Sequence, residues 1–440
     1  MKKVESVESF GSIDADNDPL LFSCFEDHEA YRHVRDLSRF LVLGRKGSGK
    51  TAIFKQMLAL RKHDTFCFGH TFADYPWHDH QLQAQVGIPE FNRYTQSWKY
   101  LILLSLAKLT LNQDQGIPFD DESMNLMVSI ERFIIDSYGS RDPDVTQFFT
   151  PSKALKLKPH FQLDWKILSA DVSPEYVPIK ELPTIVQDVT HTLLRYLIRC
   201  LHPDHTYFIC FDQLDLGLDL ETQDYRNRLI GLLLAARDLN LAAQSNGKKL
   251  LIVVFLRDDI YDALQFEDKN KLTENSASRI EWDTPNTVHT LRSLMEKRFD
   301  VLLASSDMEH VSWDDVFDET AEMSGHQTKY RHLVDRTYLR PRDMIRICNA
   351  TLQQYKQRKA KGAAGQDKII NTDVINARAD YSEYLLRELD DEIHKHVPNY
   401  KMYIELLRSR GSEFRKAKVH RDVRSKAGVY GWFVDWRHSC

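Results

Sequence analysis

The stretch FLVLGRKGSGKTAIFKQML, residues 40–58, decides how the rest of the chain is read. Phe40–Leu43 is a short apolar run that predicts a buried strand, and the pattern from about Lys50 to Arg61 predicts a helix. Between them, Gly44, Gly49, Lys50 and Thr51 fit GxxxxGK[ST]. Each residue type has a reason. Glycines let the backbone curl so that successive N–H groups face phosphate oxygens. A helix opening at Lys50 adds the positive end of its dipole. Lys50 can reach β- and γ-phosphates, and Thr51 can offer its hydroxyl to Mg²⁺. The loop therefore predicts a site for ATP and Mg²⁺ built on Gly44, Arg45, Lys46, Gly47, Ser48, Gly49, Lys50 and Thr51.

Outward from this loop the chain alternates apolar strands and helices. TFCFGHTF (65–72), TYFICFD (206–212) and KKLLIVVFLR (248–257) read as buried strands, and RIEW (279–282) as a short final one. Helices are expected near 26–38, 93–112, 121–138, 144–157, 182–201 and 221–243. Continuous apolar strands separated by helices predict an α/β fold with a parallel sheet covered on both faces. Residues 113–182 read as a helical insertion, and from about 285 onward the pattern is helical only. The expected division is a P-loop core at 1–300, a helical lid at 301–362 and a C-terminal helical and basic segment at 363–440.

Composition narrows the function classes. The chain has 440 residues, 42% hydrophobic and 28% charged, with net charge −5, as in an ordinary soluble protein. Six scattered cysteines with no CxxC pair predict free thiols rather than a zinc site. YLILLSLAKLTL (100–111) is too short to span a bilayer, and the N-terminus lacks a signal-peptide core. A cytoplasmic protein without membrane attachment is expected.

Further stretches carry candidate chemistry. Asp212 closes an apolar strand, where a P-loop protein holds Mg²⁺. Asp215 is placed either to orient or deprotonate the attacking water or to cap the following helix. Arg257 ends the next strand, where ligands of parallel sheets bind; it can contact the γ-phosphate or pair with Asp258, Asp259 or Asp212. Arg279 and Arg298 are candidates to serve a neighbouring subunit. In TYLRPRDMIRICNATLQQY (337–355), Pro341 suits the first helical turn, with Met344, Ile347, Cys348 and Leu352 on one face. Arg340 and Arg342 there can lean over a nucleotide or form a surface cap. The 268–282 stretch has NKLT, not the NKxD that reads guanine, which points to adenine.

GRKGSGKT, FDQLD, VVFLRDDIY, IEW and RPRDMIR stand in the order found in the AAA-like and STAND/KAP branch of P-loop ATPases. The chain resembles that branch over roughly 20–395. The resemblance implies an α/β ATPase core with a helical lid, ATP-driven change of oligomeric state, and an effector partner encoded nearby, often in antiviral defence. Many AAA-like members place a glutamate directly after the strand-end aspartate; this chain has Gln213 there. Residues 401–440 carry ten Lys/Arg against four acids, with Tyr403, Phe414, Tyr430, Trp432, Phe433 and Trp436 among them. That tail suits nucleic acid, a docked protein or a small packed end domain. Two function classes follow: an ATP-hydrolysing oligomeric switch acting on an effector, and, less favoured, a nucleic-acid loader.

Overall fold

A computed structural model describes residues 1–60, 62–71, 90–144, 182–215, 223–285, 287–306, 308–362, 367–393 and 400–401. The helix expected at 144–157 and the basic tail beyond Lys401 lie outside the described residues. Five strands form one sheet: β1 (Leu41–Gly44), β2 (Thr65–Thr71), β3 (Thr206–Asp212), β4 (Lys249–Arg257) and β5 (Ala277–Arg279). Their order is β2-β3-β4-β1-β5, and every neighbouring pair is parallel. The α/β class with an all-parallel sheet thus agrees with the strand pattern.

The helices of the sheet-bearing part are α1 (Glu29–Arg35), α2 (Lys50–Leu58), α3 (Glu90–Asn112), α4 (Asp121–Tyr138), α5 (Leu182–Cys200), α6 (Gln223–Ser245), α7 (Asp258–Ala263) and α8 (Lys269–Ser276). The helical part that follows holds α9 (Leu291–Leu303), α10 (Trp313–Val316), α11 (Lys329–Val334), α12 (Pro341–Ala360) and α13 (Asn371–Ile393). Adjacent residues of a strand face opposite sides of a sheet. On β2 this is visible directly. A Cβ at Gly69 would lie 2.7 Å from the Phe54 ring of α2. His70, next along, stacks on Phe211 and bonds Ser105 of α3 at 2.8 Å. Helices therefore cover both faces, and Leu41–Leu43 and Leu250–Leu256 are buried throughout.

Two strand expectations need correction. β2 is an edge strand, and its residues from Thr65 to Gly69 are only half-buried, because one side has no neighbour among the described residues. β5 runs over Ala277–Arg279 rather than 279–282. Ile280 still donates its N–H to Leu43 O at 2.8 Å, but the chain then turns so that Trp282 Nε1 bonds Ser48 O at 3.0 Å. The apolar residues that suggested a strand there serve a cavity instead.

The N-terminus belongs to the helical part as much as to the sheet. Phe10 packs edge-on against Phe299 at 5.1 Å, and Asn349 of α12 takes the Phe10 N–H at 2.8 Å and donates to Gly11 O at 2.9 Å. Helix α12 begins at Pro341 as expected, with Met344, Ile347, Cys348 and Leu352 all buried.

Candidate functional site

Strand order locates the site. After β1 the chain crosses to the far edge at β2; after β4 it crosses the other way to β5. Connections that part in this manner open a crevice at the carboxyl ends of the strands. Gly44 at the end of β1 is paired in register with Arg257 at the end of β4, and Asp212 ends β3 beside them.

The loop between β1 and α2 has the backbone its glycines allow. Gly47 has φ of 80° and Gly49, the residue before α2, φ of 109°. Both lie in the left-handed region that a side chain disfavours. At Gly44 the constraint is space: a Cβ would sit 2.4 Å from Ser48 Oγ. Lys50 is folded back, its Nζ donating to Gly44 O at 2.8 Å and Arg45 O at 3.0 Å.

Asp212 is 2% exposed. Burial raises its pKa to about 6, against the lowering influence of the Thr51 hydroxyl, the Gln213 backbone and Lys50; Asp215 adds a further rise. Burial lowers the pKa of Lys50 despite the attraction of Asp212 and Asp215. Each partner is thus pushed toward its neutral form, so their mutual attraction does not repay the removal of water. Asp212 Oδ2 is buried without a hydrogen-bond partner. A buried oxygen of this kind is costly unless something completes it.

These residues fit a hydrated Mg²⁺ carried with a polyphosphate. Mg²⁺ is ordinarily held by one or two carboxylates plus phosphate oxygens rather than by a protein cage. Thr51 and Asp212 would supply that partial set, and the glycine loop the phosphate side.

The wall around this pair was less foreseeable. A cavity of about 280 Å³ is lined by Lys46–Ile53, Asp212, Gln213, Asp215 and Arg257 on one side. Its other side is made by residues of the Ser12–His28 segment, Ile280, Trp282, Arg298 and the start of α12. Gln213 has φ of 58°, and its Nε2 lies 3.4 Å from Asp16 Oδ2. Asp16 Oδ1 in turn pairs with Lys55 at 2.6 Å. Asp16 was missed because IDADND has no periodicity that would fold it over a distant loop.

The arginines sort themselves by partner. Arg257 makes a two-pronged contact with Asp259 (3.0 and 2.6 Å) and reaches Asp215 at 3.4 Å. Both predicted residues therefore line the cavity, joined to each other. Arg298 is buried in a pair with Asp18 of its own chain at 2.7 Å and donates to Phe10 O at 2.9 Å, while its Nε has no hydrogen-bond partner. Arg279 is half-exposed and lies 3.8 Å from Asp262. Arg340 does not line the cavity. It bonds Asp343 at 2.5 Å and Lys46 O at 3.1 Å, bracing the loop from outside. Arg342 does line it, and its main-chain N–H reaches Gly47 O at 3.4 Å.

Residues 289–390 match the FunZ-associated C-terminal helical domain. That match begins just before α9 and continues through most of α13, across the boundary expected at 362. The chain is also 21% identical over 414 residues to an Escherichia coli (strain K12) protein described as "Putative transposon gamma-delta 80.3 kDa protein". The alignment takes in 91% of this chain and 54% of that protein, so the chain spans about half the length of this relative.

The matched region touches the glycine loop directly. Arg340 and Arg342 both lie within it and contact Lys46 and Gly47. Among the described residues, no group of three or more His, Cys, Asp or Glu is arranged to hold a metal, and no helix is long and apolar enough to cross a membrane.

Proposed function

We propose that the chain binds Mg²⁺-ATP in this cavity, hydrolyses it, and uses the nucleotide state to change its own assembly and so regulate a partner. The observation that carries this reading is the junction of the left-handed glycine loop with Lys50, Thr51 and an incompletely bonded, buried Asp212. Lys50 would turn from the carbonyls of Gly44 and Arg45 to the β- and γ-phosphates. Thr51 and Asp212 would hold Mg²⁺, which when bound neutralises charge on the β- and γ-oxygens. Asp215, lining the same cavity, would accept the proton of the attacking water as its oxygen bonds to the γ-phosphorus and the ADP oxygen leaves. Arg257, tied to Asp215, would report the loss of the γ-phosphate. An assembly of identical subunits, a cytoplasmic setting and an effector in antiviral defence remain the partner chemistry this reading favours.

The test is Lys50→Ala, measured by calorimetry with Mg²⁺-ATP. Loss of the half-buried lysine should weaken binding about 100-fold or more. Unchanged affinity rejects the loop as the nucleotide site. A second reading, in which ATP controls engagement of nucleic acid, is favoured by the transposon description of the E. coli relative.

A further inference from the structure

We propose that Glu388 of α13 is a latch on the glycine loop, holding two cations that face the cavity until an incoming phosphate takes them. The inference rests on the nucleotide reading and goes beyond it, to how the helical region senses the site.

Lys46 and Arg342 both line the 280 Å³ cavity. Yet both charges converge on one atom: Lys46 Nζ lies 3.4 Å and Arg342 Nη1 3.3 Å from Glu388 Oε2. The three side chains are 27%, 26% and 17% exposed, so the cluster is partly shielded from water. Lys46 and Glu388 also line a second cavity of about 510 Å³, with Arg45, Arg257 and Arg340, on the other side of the loop. Lys46 is therefore common to both cavities and can serve either.

A carboxylate oxygen between two cations occupies the role of a phosphate oxygen. A triphosphate carries more charge and would compete for the same pair. If it wins, Glu388 loses both partners while close to added negative charge. The earlier part of α13 has anchors of its own: Arg346 grips both oxygens of Asp380 at 3.0 Å, and Tyr381 donates to Arg336 O at 3.0 Å. Beyond Glu388, Asp390 accepts from Tyr400 OH at 2.6 Å, so release would loosen the turn around Glu388 and leave the beginning of α13 in place. The region matching the FunZ-associated domain would feel ligand through a charge exchange on one helix.

Glu388→Gln keeps the shape and removes the charge. Titrated with Mg²⁺-ATP at low salt, it should bind about three- to tenfold more tightly than the parent, the size expected for two partly shielded ion pairs. Asp380→Asn loosens the same helix pair away from the loop and should bind as the parent does. Without nucleotide, hydrogen exchange near residues 385–390 should already be fast in Glu388→Gln; in the parent it should rise only on adding Mg²⁺-ATP. Equal or weaker binding by Glu388→Gln, beside a parent that binds, overturns the latch and leaves the nucleotide site standing. So does an equal gain in Asp380→Asn. A parent that shows no binding overturns the nucleotide reading and the latch with it.

Discussion

Two buried aspartates serve opposite ends of β3, and they are treated differently. Asp114 lies beside the beginning of the strand. It is 4% exposed and takes hydrogen bonds from His205 Nδ1 at 2.8 Å, Tyr207 OH at 2.6 Å and the Gly116 N–H at 2.8 Å. Asp212 ends the strand, is 2% exposed, and keeps one oxygen without a partner. Burial costs both acids their water. The first is repaid at both oxygens, the second, by Thr51 and the Gln213 backbone, at only one. A saturated acid holds structure; an acid left short is a place where binding can supply the missing bonds.

The largest effect separating the two should come from Asp114→Ala. Removal strands the phenol of Tyr207, the Gly116 N–H and the His205 ring, and should cost about 3–5 kcal/mol by urea unfolding. A loss below about 1 kcal/mol would make the two acids alike and dissolve the contrast.

The next effect is a pH dependence. The folded pKa of Asp212, about 6, lies above its ordinary 3.8, so the folded state binds the proton more tightly. Its contribution to stability is complete below about pH 4 and is lost as pH rises through 6, at most about 3 kcal/mol. Unfolding of the parent and of Asp212→Asn between pH 4 and 7, without nucleotide, should show the parent falling relative to the variant. Parallel curves would mean that Asp212 is better satisfied than its geometry indicates.

The smallest is Asp212→Asn at neutral pH. Overall stability should hold or rise slightly, because the buried charge is gone. Mg²⁺-dependent ATP affinity should fall about 10- to 100-fold. Calorimetry with and without Mg²⁺ separates the terms; a fall of equal size without the metal would remove Asp212 from its proposed role.

The two ends of β3 were also unequally legible. TYFICFD announced a buried strand with an acid at its end, because an apolar run and its last residue are local facts. Nothing local marked Asp114 in LNQDQGIP as the partner of His205 and Tyr207, some ninety residues on. The same division runs through the site. Lys50, Thr51, Asp212, Asp215 and Arg257 were named as candidates from strand ends and motif spacing, and all five line one cavity. Asp16, Trp282 and Glu388 were not found. Each is joined to its place by a contact with a segment distant in sequence: Gln213, Ser48, and the Lys46–Arg342 pair.

By itself the sequence determined the strand–loop–helix unit at 40–58, the α/β alternation and the start of α12 at Pro341. These rest on interactions within a few residues: side-chain periodicity, glycine φ freedom and the fixed φ of proline. Tertiary structure alone decided the edge position of β2, the inward turn at Trp282, the burial of Arg298 against Asp18 and the convergence of two cations on Glu388. Charged side chains are long and choose partners by proximity in space, so their pairing follows from how separate elements pack and not from the order in which they are strung.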